Sequence, residues 1–185
     1  EEEGKYNRFM VGDVKQSIYK FRLARPELFM EKFDRYGKTE GKERRIDLKQ
    51  NFRSRRQVTD SVNACFACMM GRDLGGVEYD RDAALYPGAS FPEPEGQGEG
   101  DVYETEVLLT AAGEDGLDDR EREALAIAGK IRQLTGTLPV TDKETGQLRP
   151  ARYSDIVILL RTTANWDETF KKVLEECGIP VYITS

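Results

Sequence analysis

The chain has 185 residues, 34 acidic and 28 basic, for a formal net charge of −6, and it contains no histidine. An acidic balance is poor for autonomous DNA binding, which rests on phosphate neutralisation. The lack of histidine excludes His-ligated metal sites and Ser-His or Cys-His catalysis. Three cysteines, an odd number, argue against a disulfide framework and fit a reducing, cytoplasmic setting. No apolar run approaches the roughly 18 residues of a membrane span, and no secretory leader is visible. The chain begins Glu1-Glu2-Glu3 without a methionine, so it is expected to be a piece of something longer.

In chain order, residues 9–13 (FMVGD) read as a buried strand breaking into a tight turn. Residues 15–21 form a short helical or irregular segment. Pro26 suits the first turn of a helix that runs to about Tyr36, with Leu28, Phe29, Phe33 and Tyr36 at helical spacing and Gly37 as its stop. Residues 38–45 (KTEGKERR) are polar and charged, and serve as the linker. Residues 46–48 start a second sheet, and Ser54 with Gln57 makes a capping-box pattern. The helix behind it carries Val58, Val62, Cys65, Phe66 and Met69 as one apolar stripe. Cys65 and Cys68 lie on this helix, and their spacing is read as core packing rather than metal binding, since only Cys177 remains as a further thiol.

Residues 71–100 are rich in glycine and proline, which defeats any regular element. A loop of this length is either functional or mobile. Residues 101–110 (DVYETEVLLT) alternate as a strand. A helix follows from about Asp119 to Leu134 with Ala124, Ile127, Ala128 and Ile131 on one face, and Gly129 inside it costs ~1 kcal/mol relative to alanine. Residues 141–147 read as a hairpin tip. Residues 155–160 (DIVILL) are continuously apolar, the pattern of a central parallel strand covered on both faces. Trp166, Phe170, Val173, Leu174 and Cys177 give the next helix, which Gly178 stops, and residues 181–183 form a last strand. Strand and helix alternate, so the expected fold class is α/β, a mostly parallel sheet flanked by helices.

Two stretches carry the chemistry. Residues 11–22 read VGDVKQSIYKFR, and residues 46–54 read IDLKQNFRS, each an apolar strand breaking into a polar turn. A strand end in an α/β sheet is where ligands bind. Together, GDxKQSIYxFR and LxxNFRS resemble motifs III and IV of superfamily 1A DNA helicases, the UvrD/Rep-like group. The wording VKQSIYKFRLARPELF followed by LKQNFRSR, and the later RYSDIVILLRT and GIPVY, resemble the AddA family of helicase/nucleases, found in bacterial recombination-repair enzymes. Taken one at a time, Phe52, Tyr19 and Phe21 fit a core, and Arg53 fits a solvated position. The resemblance rests on two motifs in the right order and wording.

The resemblance implies a RecA-like motor built from two α/β domains with ATP in the cleft between them. Residues 1–37 would end the first domain, 38–45 would link, and 46–185 would open the second, with the irregular loop at 71–100. Gln16 and Arg53 would be the catalytic groups, Gln16 at the γ-phosphate or attacking water and Arg53 at the γ-phosphate from the other side. Phe52 would complete the nucleotide site by stacking on adenine, where the family commonly has tyrosine. Tyr19 and Phe21 would stack on single-stranded DNA, and Arg22 receives no role. The parent enzyme would use ATP and Mg²⁺, act on DNA ends in double-strand-break repair, and pair with an AddB-type partner. No GxxxxGK[ST] phosphate loop, DExx motif or nuclease cluster occurs in these residues. The piece alone is therefore expected to be inactive and to hold no cofactor or metal. The rival expectation is a non-catalytic α/β interaction module that keeps relict helicase wording.

Overall fold

The computed structural model describes residues 8–13, 26–37, 41–71, 73, 78–94, 102–113, 116–162 and 164–184. Helices and small sheets alternate along the chain, an α/β arrangement divided into two units, Glu1–Ser90 and Phe91–Ser185. No helix among the described residues is long and apolar enough to cross a membrane.

In the first unit, α1 (Pro26–Arg35) begins at its proline as expected. Residues 8–13 are extended and exposed rather than a paired strand. Gly12 lies against α1, where a β-carbon would stand 3.1 Å from the Phe29 ring. The charged stretch after α1 folds back on that helix. Arg35 pairs with Glu43 at 2.7 Å, and the Arg45 guanidinium lies 3.9 Å from the centre of the Phe33 ring while donating to the Phe33 carbonyl at 2.8 Å. A cation on a ring face with its stem along apolar surface adds packing as well as charge. Residues 46–49 then lead into β1 (Gln50–Asn51), which pairs in parallel with β2 (Tyr86–Pro87). Between these strands runs α2 (Arg56–Met69).

Two expectations for α2 fail. Its N-cap is Arg55, with no side-chain cap, so the Ser54–Gln57 capping box does not form. Ser54 lies one residue too early, and its N–H is already taken by Asn51. The apolar stripe is also uncovered: Val58, Cys65, Phe66, Cys68 and Met69 are all exposed, and the residue that α2 buries is Thr59, at 1% exposure. Cys65 and Cys68 are therefore not core residues. Thr59 is tolerated inside because its hydroxyl donates to the Arg56 carbonyl at 2.8 Å.

The second unit is built on α3 (Asp119–Leu134) and α4 (Asp167–Glu176). The extent of α3 is the one read from the sequence, and Asp118 and Glu121 close a reciprocal capping box at its start. Ala124, Ala128 and Ile131 of α3 meet Phe170, Val173 and Leu174 of α4 in the core, with Ile179 beside them. Small residues on α3 let the larger side chains of α4 approach. Leu174 is 1% exposed, and burial of such a side chain contributes about 1.5–3 kcal/mol. Gly178 ends α4 at φ +73°, with N–H bonds from Gly178 and Ile179 back to Glu175 and Leu174. The polar tip at 141–147 is a hairpin turn, between antiparallel strands β3 (Pro139–Thr141) and β4 (Leu148–Pro150).

The mostly parallel sheet does not form among the described residues, which carry one short parallel pair and one antiparallel hairpin. Residues 104–110 are extended and exposed, tied down by an ion pair from Lys130 to Glu106 at 2.6 Å. Residues 156–160 are extended too, but covered on one face only. Ile156, Ile158 and Leu160 pack on the helical core, whereas Val157 and Leu159 face out, Leu159 at 90% exposure. A strand is defined by a neighbour's hydrogen bonds, and β propensity alone does not provide one.

One charged network fastens the hairpin to the turn at Tyr153–Asp155. Arg149 reaches Asp142 at 2.9 Å and forms a forked pair with Asp155 at 2.6 and 2.8 Å. The Thr145 N–H, then Arg149, hold the Asp142 carboxyl down from 3.8 to about 2, and Arg149 with the Arg152 N–H keeps Asp155 below the carboxylate range as well. Carboxyls depressed in the folded state stabilise it above their unfolded pKa and lose that effect as pH falls through the folded value. The thermal midpoint of the chain should therefore fall between about pH 4 and about pH 2. Arg149→Met should lower the midpoint near neutrality and flatten the acid limb, as followed by circular dichroism. Identical pH profiles for the two proteins would contradict the network's role.

Candidate functional site

The site starts from the end of β1. Asn51 has its side-chain oxygen turned back onto the chain, where it accepts the N–H of Arg53 at 2.9 Å and of Ser54 at 2.8 Å. This Asx-type turn gives two backbone donors a partner that neither strand nor helix supplies. Phe52 and Arg53 consequently stand at the tip of a fixed turn between β1 and α2. The Phe52 ring is 64% exposed. Arg53 is exposed as well, and its guanidinium makes no hydrogen bond or ion pair with another described residue. A guanidinium in that state is free to take a phosphate or carboxylate through its fork, and a bare ring beside it is free to stack.

The second strand of the pair holds this turn in place. Tyr86 donates its N–H to the Lys49 carbonyl at 2.9 Å, and Gly88 donates to the Asn51 carbonyl at 2.8 Å. Pro87 sits between them, at the position whose N–H would point away from β1, so the missing donor costs no ladder bond. The segment ahead of β2 is clamped to α2 by Asn63. Its side-chain oxygen accepts from the Leu85 N–H at 2.9 Å and the Tyr79 hydroxyl at 2.8 Å, and its amide nitrogen donates to the Leu85 carbonyl at 2.8 Å. Tyr79 also stacks on Phe66, centroids 5.7 Å apart. Burial, then the Asp13 carboxylate, push the Tyr79 phenol up, which keeps it a neutral donor. Lys49 pairs with Asp82 at 2.6 Å across the same join.

Phe52 and Arg53 are thus brought together. Gln16, Tyr19 and Phe21, along with Arg22, lie outside the described residues. Among the described residues, no group of three or more acidic, cysteine or histidine side chains could hold a metal ion. Asn51, Asn63 and Gly88 had drawn no attention in the sequence. The signal for Asn51 was present, since an asparagine just before a polar turn is the usual Asx acceptor. Asn63 and Gly88 act over long sequence separations and leave no local signature. Asn51→Ala should speed amide exchange at Arg53 and Ser54 by about tenfold, the scale of one lost hydrogen bond. Asn51→Asp, which keeps an acceptor, should leave both rates near the original, as read by NMR. Unchanged exchange in Asn51→Ala would show that the side chain does not hold the turn.

Comparison with known proteins extends the picture. Residues 2–37 match the UvrD/REP helicase N-terminal domain. Over 95% of its length the chain is 43% identical to the AddA-type polypeptide of Lachnoclostridium phytofermentans, the first-lettered component of an ATP-dependent helicase/nuclease. It is 45% identical to that of Alkaliphilus oremlandii and 42% identical to that of Clostridium kluyveri, again over 95% of its length. The chain spans only about 15% of the length of the first two relatives. The resemblance carried by the two motifs therefore holds: the chain belongs to the AddA family of UvrD-like ATP-dependent helicase/nucleases.

Proposed function

We propose that this chain is the motif-bearing middle of the ATP-driven motor of an AddA-type helicase/nuclease. In that reading residues 1–37 close the first motor domain, 38–45 link, and 46–185 open a RecA-like second domain. ATP hydrolysis would drive translocation on single-stranded DNA in the repair of double-strand breaks, alongside an AddB-type partner. The observation that carries the reading is the Asn51 turn, which presents an exposed ring beside a guanidinium that no other described residue engages. Phe52 would stack on the base of ATP. Arg53 would bind the γ-phosphate and stabilise the charge that builds as the terminal bond breaks. Gln16 would sense the same phosphate from the first domain, and Tyr19 and Phe21 would stack on DNA bases.

The exposed, alternating faces at 104–110 and 156–160 support the domain assignment, because strands of a larger parallel sheet are apolar on both sides. The family match ending at residue 37 supports the boundary. Mg²⁺ would accompany ATP, but the described residues lack a fitting donor set, so no step is assigned to a metal here. With no phosphate loop in the sequence, the isolated chain should bind ATP weakly, and its net charge of −6 agrees with DNA contact that is local rather than general.

The test is made in the full-length polypeptide carrying this segment. Arg53→Ala should lower kcat for DNA-stimulated ATP hydrolysis by about 10³-fold or more, and Arg53→Lys should not restore it. Phe52→Ala should raise KM for ATP by about 5- to 100-fold with a smaller change in kcat. If both alanine variants hydrolyse ATP like the unmodified protein, the motor reading fails and the interaction module takes its place.

A further inference from the structure

The segment 78–94 belongs to the long glycine- and proline-rich stretch for which no role was read from the motifs. Within it, Gly88 comes up beside the side chain of Phe52. A β-carbon built on Gly88 would stand 2.8 Å from Phe52 Cε1, 3.0 Å from Phe52 Cδ1 and 3.0 Å from Gln50 Cβ. Carbon atoms do not approach that closely, so any side chain at this position forces something to move. The backbone on both sides is tied down. Gly88 N–H is bonded to the Asn51 carbonyl at 2.8 Å, Tyr86 N–H to the Lys49 carbonyl at 2.9 Å, and Leu85 is held at both its N–H and carbonyl by Asn63. The Phe52 ring is 64% exposed, so it is the part that can give way.

The geometry points to Gly88 as a positioning residue. We propose that its missing side chain is the seat on which the Cδ1–Cε1 side of the Phe52 ring rests, leaving the remainder of the ring open to a flat heterocycle. This inference rests on the reading of Phe52 as a base-stacking residue. Gly88 is not required here for its own backbone, since its φ lies outside the left-handed region that favours glycine. What matters is the space it leaves, so alanine is accommodated by the chain and changes only where the ring can lie. The parallel pairing of β1 with β2 acquires a purpose in this account: it brings a glycine from 36 residues further on beneath the ring (88 − 52). Asn51 sets the turn from within, and Gly88 sets the ring from across the strand pair.

The test uses the full-length polypeptide, with DNA-stimulated ATP hydrolysis measured for Gly88→Ala, Phe52→Ala and the double variant. Gly88→Ala should raise KM for ATP by about tenfold and leave kcat within about twofold, the split expected when stacking alone is disturbed. In the Phe52→Ala background the same substitution should have no further effect on KM, because there is no ring left to displace. If Phe52→Ala raises KM and Gly88→Ala does not, the seat is refuted while the stacking role of Phe52 stands. If the Gly88→Ala effect persists undiminished in the Phe52→Ala background, Gly88 does not act through the ring, and the inference falls. If Phe52→Ala itself leaves KM unchanged, the stacking reading falls and takes this inference with it. Should Gly88→Ala fail to fold, recovery of folding in the double variant supports the contact, and a double variant that also fails to fold contradicts it.

Discussion

Asn51 makes two hydrogen bonds that most of the first unit is arranged to keep. Its oxygen receives the N–H groups of Arg53 and Ser54, which would otherwise be left between a strand that has ended and a helix that has not begun. The same residue's carbonyl accepts from Gly88, so one asparagine closes the turn with its side chain and joins β1 to β2 with its backbone. Asn63 repeats the tactic one layer further out, holding Leu85 so that β2 arrives in register. Two short strands and two side-chain amides thereby hold a ring and a guanidinium at the surface. Neither of these contributes much to stability where it stands. An exposed phenylalanine next to an arginine that no described residue engages is an arrangement whose value lies in what it can bind.

The second unit is organised differently. Its core is the α3–α4 contact, with the inward residues of 156–160 laid along it and the Arg149 network pinning the hairpin. Cohesion comes from apolar burial and a small set of well-formed charge pairs. The outward residues of the same stretch, Val157 and Leu159, are left to solvent. Such alternation satisfies the local helical core and leaves a β-rich edge unpaired, the condition of a strand set that is only partly assembled.

Legibility followed the range of the interactions. Where a signal was local, the sequence could be read. The extent of α3, the stop at Gly178 and the hairpin at 141–147 all came from neighbouring residues, and all are present. The capping box at Ser54 was also a local pattern, but a stronger local competitor, the Asn51 side chain, had already taken its backbone donor. The stripe on α2 and the run at 155–160 were read as covered because they are apolar. Periodicity shows which face prefers burial, and only a partner element decides whether burial occurs. The irregular loop gave no pattern at all. Its contribution at residues 78–94 depends on Asn63, Lys49 and Phe52, with the Asn63–Leu85 bond spanning 22 residues and the Lys49–Asp82 pair 33. Phe52 and Arg53, by contrast, were found through wording rather than geometry, and the structure adds the reason for their placement.

The central claim is that the Asn51 turn presents Phe52 and Arg53 to a nucleotide. The most direct measurement is a structure of the full-length polypeptide bound to a non-hydrolysable ATP analogue. The account predicts the Phe52 ring stacked on the base above Gly88. It also predicts an Arg53 nitrogen within about 2.7–3.2 Å of a terminal phosphate oxygen. A bound analogue with Phe52 packed against protein and Arg53 turned away from the phosphates would contradict it.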